Sequence, residues 1–185
     1  MNQKEIYIFV GPPGSSKTLY SKSIADSFDA LHVAWRDIKV KTNEKNKIKI
    51  LKNSLINGFE ENDRIVLSGF PINKKEAQFL LETLNEEKVK IKSIIQLNAS
   101  LEKVIFNLEN RFLCKKCGLI YRDDPHVVKG SFCSSCGGIL LQNKINKEEI
   151  KNEYYTFFKS VTDAICILSP ISESYFSVSA NQSKH

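Results

Sequence analysis

Cys114, Cys117, Cys133 and Cys136 fall in the order C-x2-C-x15-C-x2-C. Two knuckles of paired thiolates, separated by a hairpin-length spacer, can close a tetrahedral zinc site. Gly118 follows the first knuckle and Gly137 the second. A tight turn around a metal wants a residue without Cβ at such positions. Two disulfides are the competing use of the same four residues. No secretory signal is read at the N-terminus, and thiols in a reducing compartment stay reduced, so metal binding is the expectation. Four thiolates leave no coordination position open, which makes the expected role structural.

The chain has 185 residues, enough for one core domain and a small insert. Its net charge of +6 comes from lysines scattered among Asn and Ile rather than from a dense basic tract. A basic surface favours phosphate-rich partners, nucleotides or nucleic acid, but drift of the composition toward Lys, Asn and Ile explains the charge equally well, and nucleic acid is not expected as a partner. The apolar run at residues 6–10 is too short to cross a membrane or to serve as a secretory core. A cytoplasmic protein without membrane attachment is expected.

Residues 6–10 read as a strand buried on both faces. A loop at 11–16 leads into a helix at 17–28, expected to turn Leu19, Ile24 and Phe28 inward. A second strand is expected at 31–35. A helix at 47–57 carries Ile48, Leu51 and Leu55, with Gly58 as its C-terminal cap. A third strand at 64–68 precedes Asn73 and Glu76, which are spaced as a capping box ahead of the stripe Ala77, Leu80, Leu81 and Leu84. A fourth strand at 91–97 and a helix at 101–110 come before the cysteine insert. The longest helix, 147–168, ends before Pro170, and an alternating segment at 175–180 supplies a fifth strand. Cys166 falls on an apolar helix face and is expected in the core; His126 is expected at the surface. Strands alternating with helices predict an α/β fold, a parallel sheet covered on both faces.

Gly11-Pro12-Pro13-Gly14-Ser15-Ser16-Lys17-Thr18 lies between a buried strand and a helix, which is the setting a phosphate-binding loop requires. Its backbone N–H groups and the helix N-terminus favour phosphate oxygens. Lys17 is placed to reach the β- and γ-phosphates of ATP, and Thr18 to offer a hydroxyl to Mg²⁺. Ser16 stands where the G-x-x-x-x-G-K-[ST] pattern has glycine. If that backbone is left-handed, serine costs about 1–2 kcal/mol there.

Taken with Ser68-Gly69-Phe70-Pro71, Ile94 to Ser100 and the segment Arg111 to Tyr121, the loop and the cysteine pairs resemble adenylate kinase in its zinc-lid form over nearly the whole chain. The resemblance implies a P-loop nucleoside monophosphate kinase fold, with a five-stranded parallel sheet and a small zinc-ribbon lid at 112–141. The core is then 1–111 with 142–185, including a shortened monophosphate-binding segment at about 36–63. It implies Mg²⁺-dependent transfer of the γ-phosphoryl of ATP to a nucleoside monophosphate, AMP in the family, by a monomer. Gly11, Pro12, Pro13, Gly14, Ser15, Ser16, Lys17 and Thr18 would bind ATP, Lys17 and Arg111 would act in catalysis, and Gly69 would lie beside the monophosphate. Arg36 is the nearest cation for the acceptor phosphate. Several family positions differ. Ser68 replaces an aspartate, Ile72 an arginine, Glu76 a base-reading glutamine, and Asn107 and Tyr154 further arginines. Lys39, Lys41, Lys74 or Lys144 are candidate substitutes, without the bidentate fork of a guanidinium. The alternative expectation is a weakly active or non-catalytic nucleotide-binding relative that keeps the fold and the lid.

Overall fold

The computed structural model of the chain describes residues 3–38, 44–122 and 130–181. Lys39, Val40, Lys41 and His126 lie outside them. Strand β1 (Glu5–Val10) is followed by α1 (Lys17–Ser27), β2 (Leu31–Ala34) and α2 (Glu44–Glu61). Next come β3 (Arg64–Ser68), α3 (Lys74–Glu86), β4 (Lys90–Asn98) and α4 (Leu101–Glu109). Three short strands, β5 (Arg111–Cys114), β6 (Ile120–Arg122) and β7 (Leu140–Gln142), then precede α5 (Lys147–Leu168) and β8 (Tyr175–Ser179).

Strands β2-β3-β1-β4-β8 form one sheet in that order, and every pairing is parallel. Ile6 and Ile8 of β1 and Ile65 and Leu67 of β3 are fully buried, as central strands covered on both faces require. Chain direction across the sheet changes at β1. The connection from β1 leads outward to β2 and β3 on one side, and β4 and β8 lie on the other. Such a switch point opens a crevice at the carboxyl ends of the strands, where ligands of open α/β sheets bind. The loop at 11–16 leaves β1 at that end.

Strands β6-β5-β7 form a separate antiparallel sheet that carries the cysteines. The long helix α5 packs Phe157, Val161, Ala164 and Leu168 into the main core alongside Leu80 and Leu84 of α3. Among the described residues no helix is long and apolar enough to cross a membrane.

Four local expectations are corrected. Leu19 and Phe28 are exposed, and α1 instead buries Ser21 and Ala25. Small side chains there let the helix backbone lie close to the sheet. Gly58 does not cap a helix. It sits inside α2, where a Cβ would come within 2.7 Å of Leu31 Cδ2 and 3.0 Å of Ile65 Cδ1. It is a packing glycine, and its helix runs on to Glu61. Cys166 is exposed rather than in the core. Trp35 leaves β2 and begins a short 3₁₀ turn, Trp35–Asp37.

Candidate active site

The loop after β1 is held from several sides. Gly14, with φ +77°, packs so close to α4 that a Cβ would lie 2.9 Å from the Val104 carbonyl oxygen. The Asn107 side-chain amide donates to the Gly14 carbonyl at 2.8 Å. Asn107 is thus a fastener for the loop, a role its sequence position had not suggested. A polar residue between inward-facing Val104 and Leu108 was the available signal. Ser16 does adopt the left-handed conformation, φ 62° and ψ 16°, and its side chain makes no capping bond to α1. Its carbonyl accepts from the Leu19 and Tyr20 N–H groups, so the helix starts directly behind the loop.

One cavity of about 290 Å³ brings the expected residues together. Gly11, Pro13, Gly14, Ser16, Lys17 and Thr18 form one wall; Trp35, Arg36, Ser68, Gly69, Ile72, Arg111 and Phe157 form the other. Pro12 and Ser15 are buried within the loop and do not line it. The Lys17 ammonium donates to the Pro12 carbonyl at 3.2 Å, folded back over its own loop. Gly69 takes its place because its φ of +81° would strain a side chain; an added Cβ would make only ordinary contact, 3.4 Å from Lys17 Cε and 3.7 Å from Trp35 Cβ. Its N–H donates to the Phe9 carbonyl at 2.8 Å, tying β3 to β1.

Arg111 is half-buried at the start of β5. Burial, followed by the like charge of Arg36, pushes its pKa below the usual guanidinium value. A guanidinium nevertheless stays protonated in proteins, so two cations face one cavity and both are relieved by an anion between them. Arg36 is otherwise paired only with its neighbour Asp37, at 3.2 Å, among the described residues. Among the described residues no carboxylate lines this cavity. Two hydroxyls at the site, Ser15 Oγ and Ser68 Oγ, are buried without a hydrogen-bond partner.

Other expected positions go elsewhere. The Glu76 carboxylate accepts from the Ile72 N–H at 2.7 Å, and Asn73 Oδ1 accepts from the Glu76 N–H at 3.0 Å, so α3 is capped much as expected. The Tyr154 hydroxyl donates to the Ala99 carbonyl and faces α4. Its neighbour Glu153 looks onto the cleft instead, in a second cavity that shares Pro13, Ile72 and Phe157 with the first. Lys74 lines a third cavity, beyond Asn73, and Lys144 is exposed on the segment after β7.

The cysteines converge. All four Sγ atoms lie within 4.8 Å of one another, with Cys114 to Cys136 at 3.4 Å and Cys117 to Cys133 at 3.6 Å. A tetrahedron of thiolates at Zn–S distances of about 2.3 Å has edges of roughly 3.8 Å, so the set fits a zinc lid. Gly118 and Gly137 have φ +75° and +67°, as the knuckle turns require, and their N–H groups bond back to the Cys114 and Cys133 carbonyls. Gly138 was not anticipated. A Cβ there would lie 2.9 Å from Cys114 Sγ. The Tyr121 hydroxyl donates to Cys133 Sγ at 3.3 Å and lowers that thiol below the ordinary cysteine value, which favours the thiolate a metal needs.

No family model matches the chain. In sequence it is 31% identical over 179 residues to the adenylate kinase of Rickettsia rickettsii, covering 85% of this chain and 82% of that one. The chain belongs to the adenylate kinase family. It is also 27% identical over 176 residues to the adenylate kinase of Petrotoga mobilis, with the same coverage, and 29% identical over 191 residues to that of Fervidobacterium nodosum, covering 91% and 84%. Loop, switch-point crevice and four-cysteine lid are thus found together in a member of a nucleotide kinase family.

Proposed function

We propose that the chain transfers the γ-phosphoryl group of ATP to a nucleoside monophosphate, with AMP the expected acceptor. The observation that carries this reading is the convergence of Lys17, Arg36 and Arg111 on one cavity walled by the phosphate-binding loop. Phosphoryl transfer needs little else from a protein than positioning and cations around the transferring group. Backbone N–H groups between Gly14 and Thr18 would hold the β- and γ-phosphates, since Pro12 and Pro13 have none to give, and Lys17 turns from the Pro12 carbonyl to those oxygens. An oxygen of the acceptor phosphate attacks the γ-phosphorus. The bond to the β–γ bridging oxygen breaks, and its electron pair leaves with ADP. The attacking oxygen is already anionic at neutral pH, so no general base is needed. Arg111 and Arg36 approach the transferring and acceptor phosphates, and the burial and like charge that disfavour the Arg111 cation are offset as negative charge gathers there. Gly69 leaves room for the acceptor beside Lys17.

Mg²⁺ supplies neutralisation of the β- and γ-phosphate charge. Thr18 and the unpartnered hydroxyl of Ser68 fit a metal that arrives with ATP and keeps its waters, because no carboxylate lines the cavity among the described residues. Cys114, Cys117, Cys133 and Cys136 would hold zinc in a closed structural site. In this reading residues 112–141 close over the 1–111 and 142–185 core to exclude water. Residues 36–63 form the acceptor segment, and the protein works as a cytoplasmic monomer.

A second reading, a weakly active or non-catalytic nucleotide binder, is favoured by Ile72 and Glu153, which give the acceptor side of the cleft an apolar and an acidic residue. A coupled ADP-formation assay with ATP, AMP and Mg²⁺ separates the two. The kinase reading expects turnover that Lys17→Ala lowers on the order of 10³-fold. Nucleotide binding without turnover selects the second.

A further inference from the structure

The protein has a single tryptophan, and it stands in the cleft. Trp35 opens the turn after β2, and its ring packs against Phe70 with centroids 5.0 Å apart and planes tilted by 41°. Gly69 lies beside it and the phosphate-loop lysine, such that a Cβ added there would touch both. Over the Trp35 ring, 4.1 Å from its centroid, rests the ammonium group of Lys47, from the first turns of α2. Lys47 has no ion pair among the described residues. Among the described residues its charge is met by the π face, a contact that is weak where water has access.

A flat aromatic face beside an anion site, covered by a displaceable cation, is what a base joined to a phosphate needs. Stacking on an indole tolerates any base, because every base has a π face. A cation lifted off the ring stays close enough to pair with a phosphate oxygen, and charge-assisted hydrogen bonds of that kind are the strong ones. Resting on the kinase reading above, we infer that Trp35 and Lys47 form the acceptor platform. The base of the nucleoside monophosphate takes the place of the Lys47 ammonium against the indole, and Lys47 joins Arg36 on the acceptor phosphate. Two features that otherwise serve no purpose at the cleft, an indole at its rim and a lysine without a carboxylate, are accounted for together. The acceptor is thereby defined as an aromatic base bearing a phosphate, with little discrimination from the platform itself between purine and pyrimidine.

Trp35 emission reads the event directly. The full-length protein, with zinc bound, is titrated with AMP, with CMP and with ribose 5-phosphate. AMP and CMP are expected to shift or quench the emission, and ribose 5-phosphate, which has no base to stack, to leave it nearly unchanged. Lys47→Met keeps the helix and the aliphatic stem. It is expected to weaken AMP binding about tenfold or more through loss of a charge-assisted contact, while ATP binding to the loop changes less than about twofold. Wild-type AMP affinity in Lys47→Met, or AMP binding that leaves the emission untouched, overturns the platform. The two readings fail separately. Turnover of AMP with an unchanged KM in Lys47→Met removes the platform and leaves the kinase. AMP that quenches Trp35 and is weakened by Lys47→Met, yet is never converted to ADP, keeps the platform and removes the kinase. Absence of any AMP binding overturns both.

Discussion

On the kinase reading the cleft has a donor wall and an acceptor wall, and the two are built from different materials. The donor wall is mostly backbone. Its loop is fixed by close packing of Gly14 on α4, by the Asn107 amide and by the start of α1 behind Ser16. The acceptor wall is mostly side chains: Trp35, Arg36, Ile72 and Arg111. A site made of main-chain amides depends on shape, and the sequence around it can drift while the shape persists. A site made of side-chain charges changes character with each substitution. The loop departs from the G-x-x-x-x-G-K-[ST] pattern only at Ser16, where the left-handed shape persists without glycine, while the opposite wall carries Ile72 where the resemblance implies an arginine.

Substitutions on the two walls are expected to behave differently. Arg111→Ala removes the cation proposed to act on the transferring group, and should lower the rate of ADP formation by on the order of 10³-fold, with ATP affinity much less affected. An equal loss in both would place Arg111 in ground-state binding. Chelating the lid metal comes next. The three-stranded sheet has only a small core around Leu140, Phe112 and Tyr121, so it is expected to lose structure while the five-stranded sheet remains folded. Circular dichroism and native mass spectrometry, before and after chelation, follow the two events. A metal-free native mass would contradict the site. Ile72→Arg restores a guanidinium to the acceptor wall and is expected to tighten AMP binding by about tenfold, with no gain for ATP. Titration calorimetry measures both.

The smaller effects belong to the donor wall. Asn107→Ala strands the Gly14 carbonyl and should cost about 1–2 kcal/mol of stability in chemical denaturation, with a matching loss in ATP affinity. Ser16→Gly relieves the left-handed backbone and should stabilise the protein by about 1 kcal/mol without changing what binds. A neutral result would mean that the loop relaxes around serine.

The difference between the walls also explains what could be read in the residues alone. Long periodic segments were legible, and α5 runs over 147–168 as its apolar face predicts. The cysteine spacing and the loop were legible because each is a local pattern with a fixed geometry. Which face of α1 meets the sheet was not, because close helix-to-sheet packing uses Ser21 and Ala25, which hydrophobic periodicity ignores. Gly58 was misread for the same reason, since its value lies in the absence of side-chain volume against Leu31 and Ile65. Cys166 lies on the polar side of α5 despite its apolar neighbours. On the acceptor wall, Trp35 and Lys47 come from different elements, and only the fold brings them together.

On the kinase reading donor and acceptor phosphates meet in one cavity under shared cations. Calorimetric titration with a bisubstrate analogue, two adenosines joined through a five-phosphate bridge, addresses it most directly. The account predicts one molecule bound per chain, at least about a hundredfold more tightly than ATP or AMP alone, because one ligand engages both walls without paying twice for its lost freedom. Binding no tighter than that of ATP would mean that only the loop holds nucleotide, and would contradict the account.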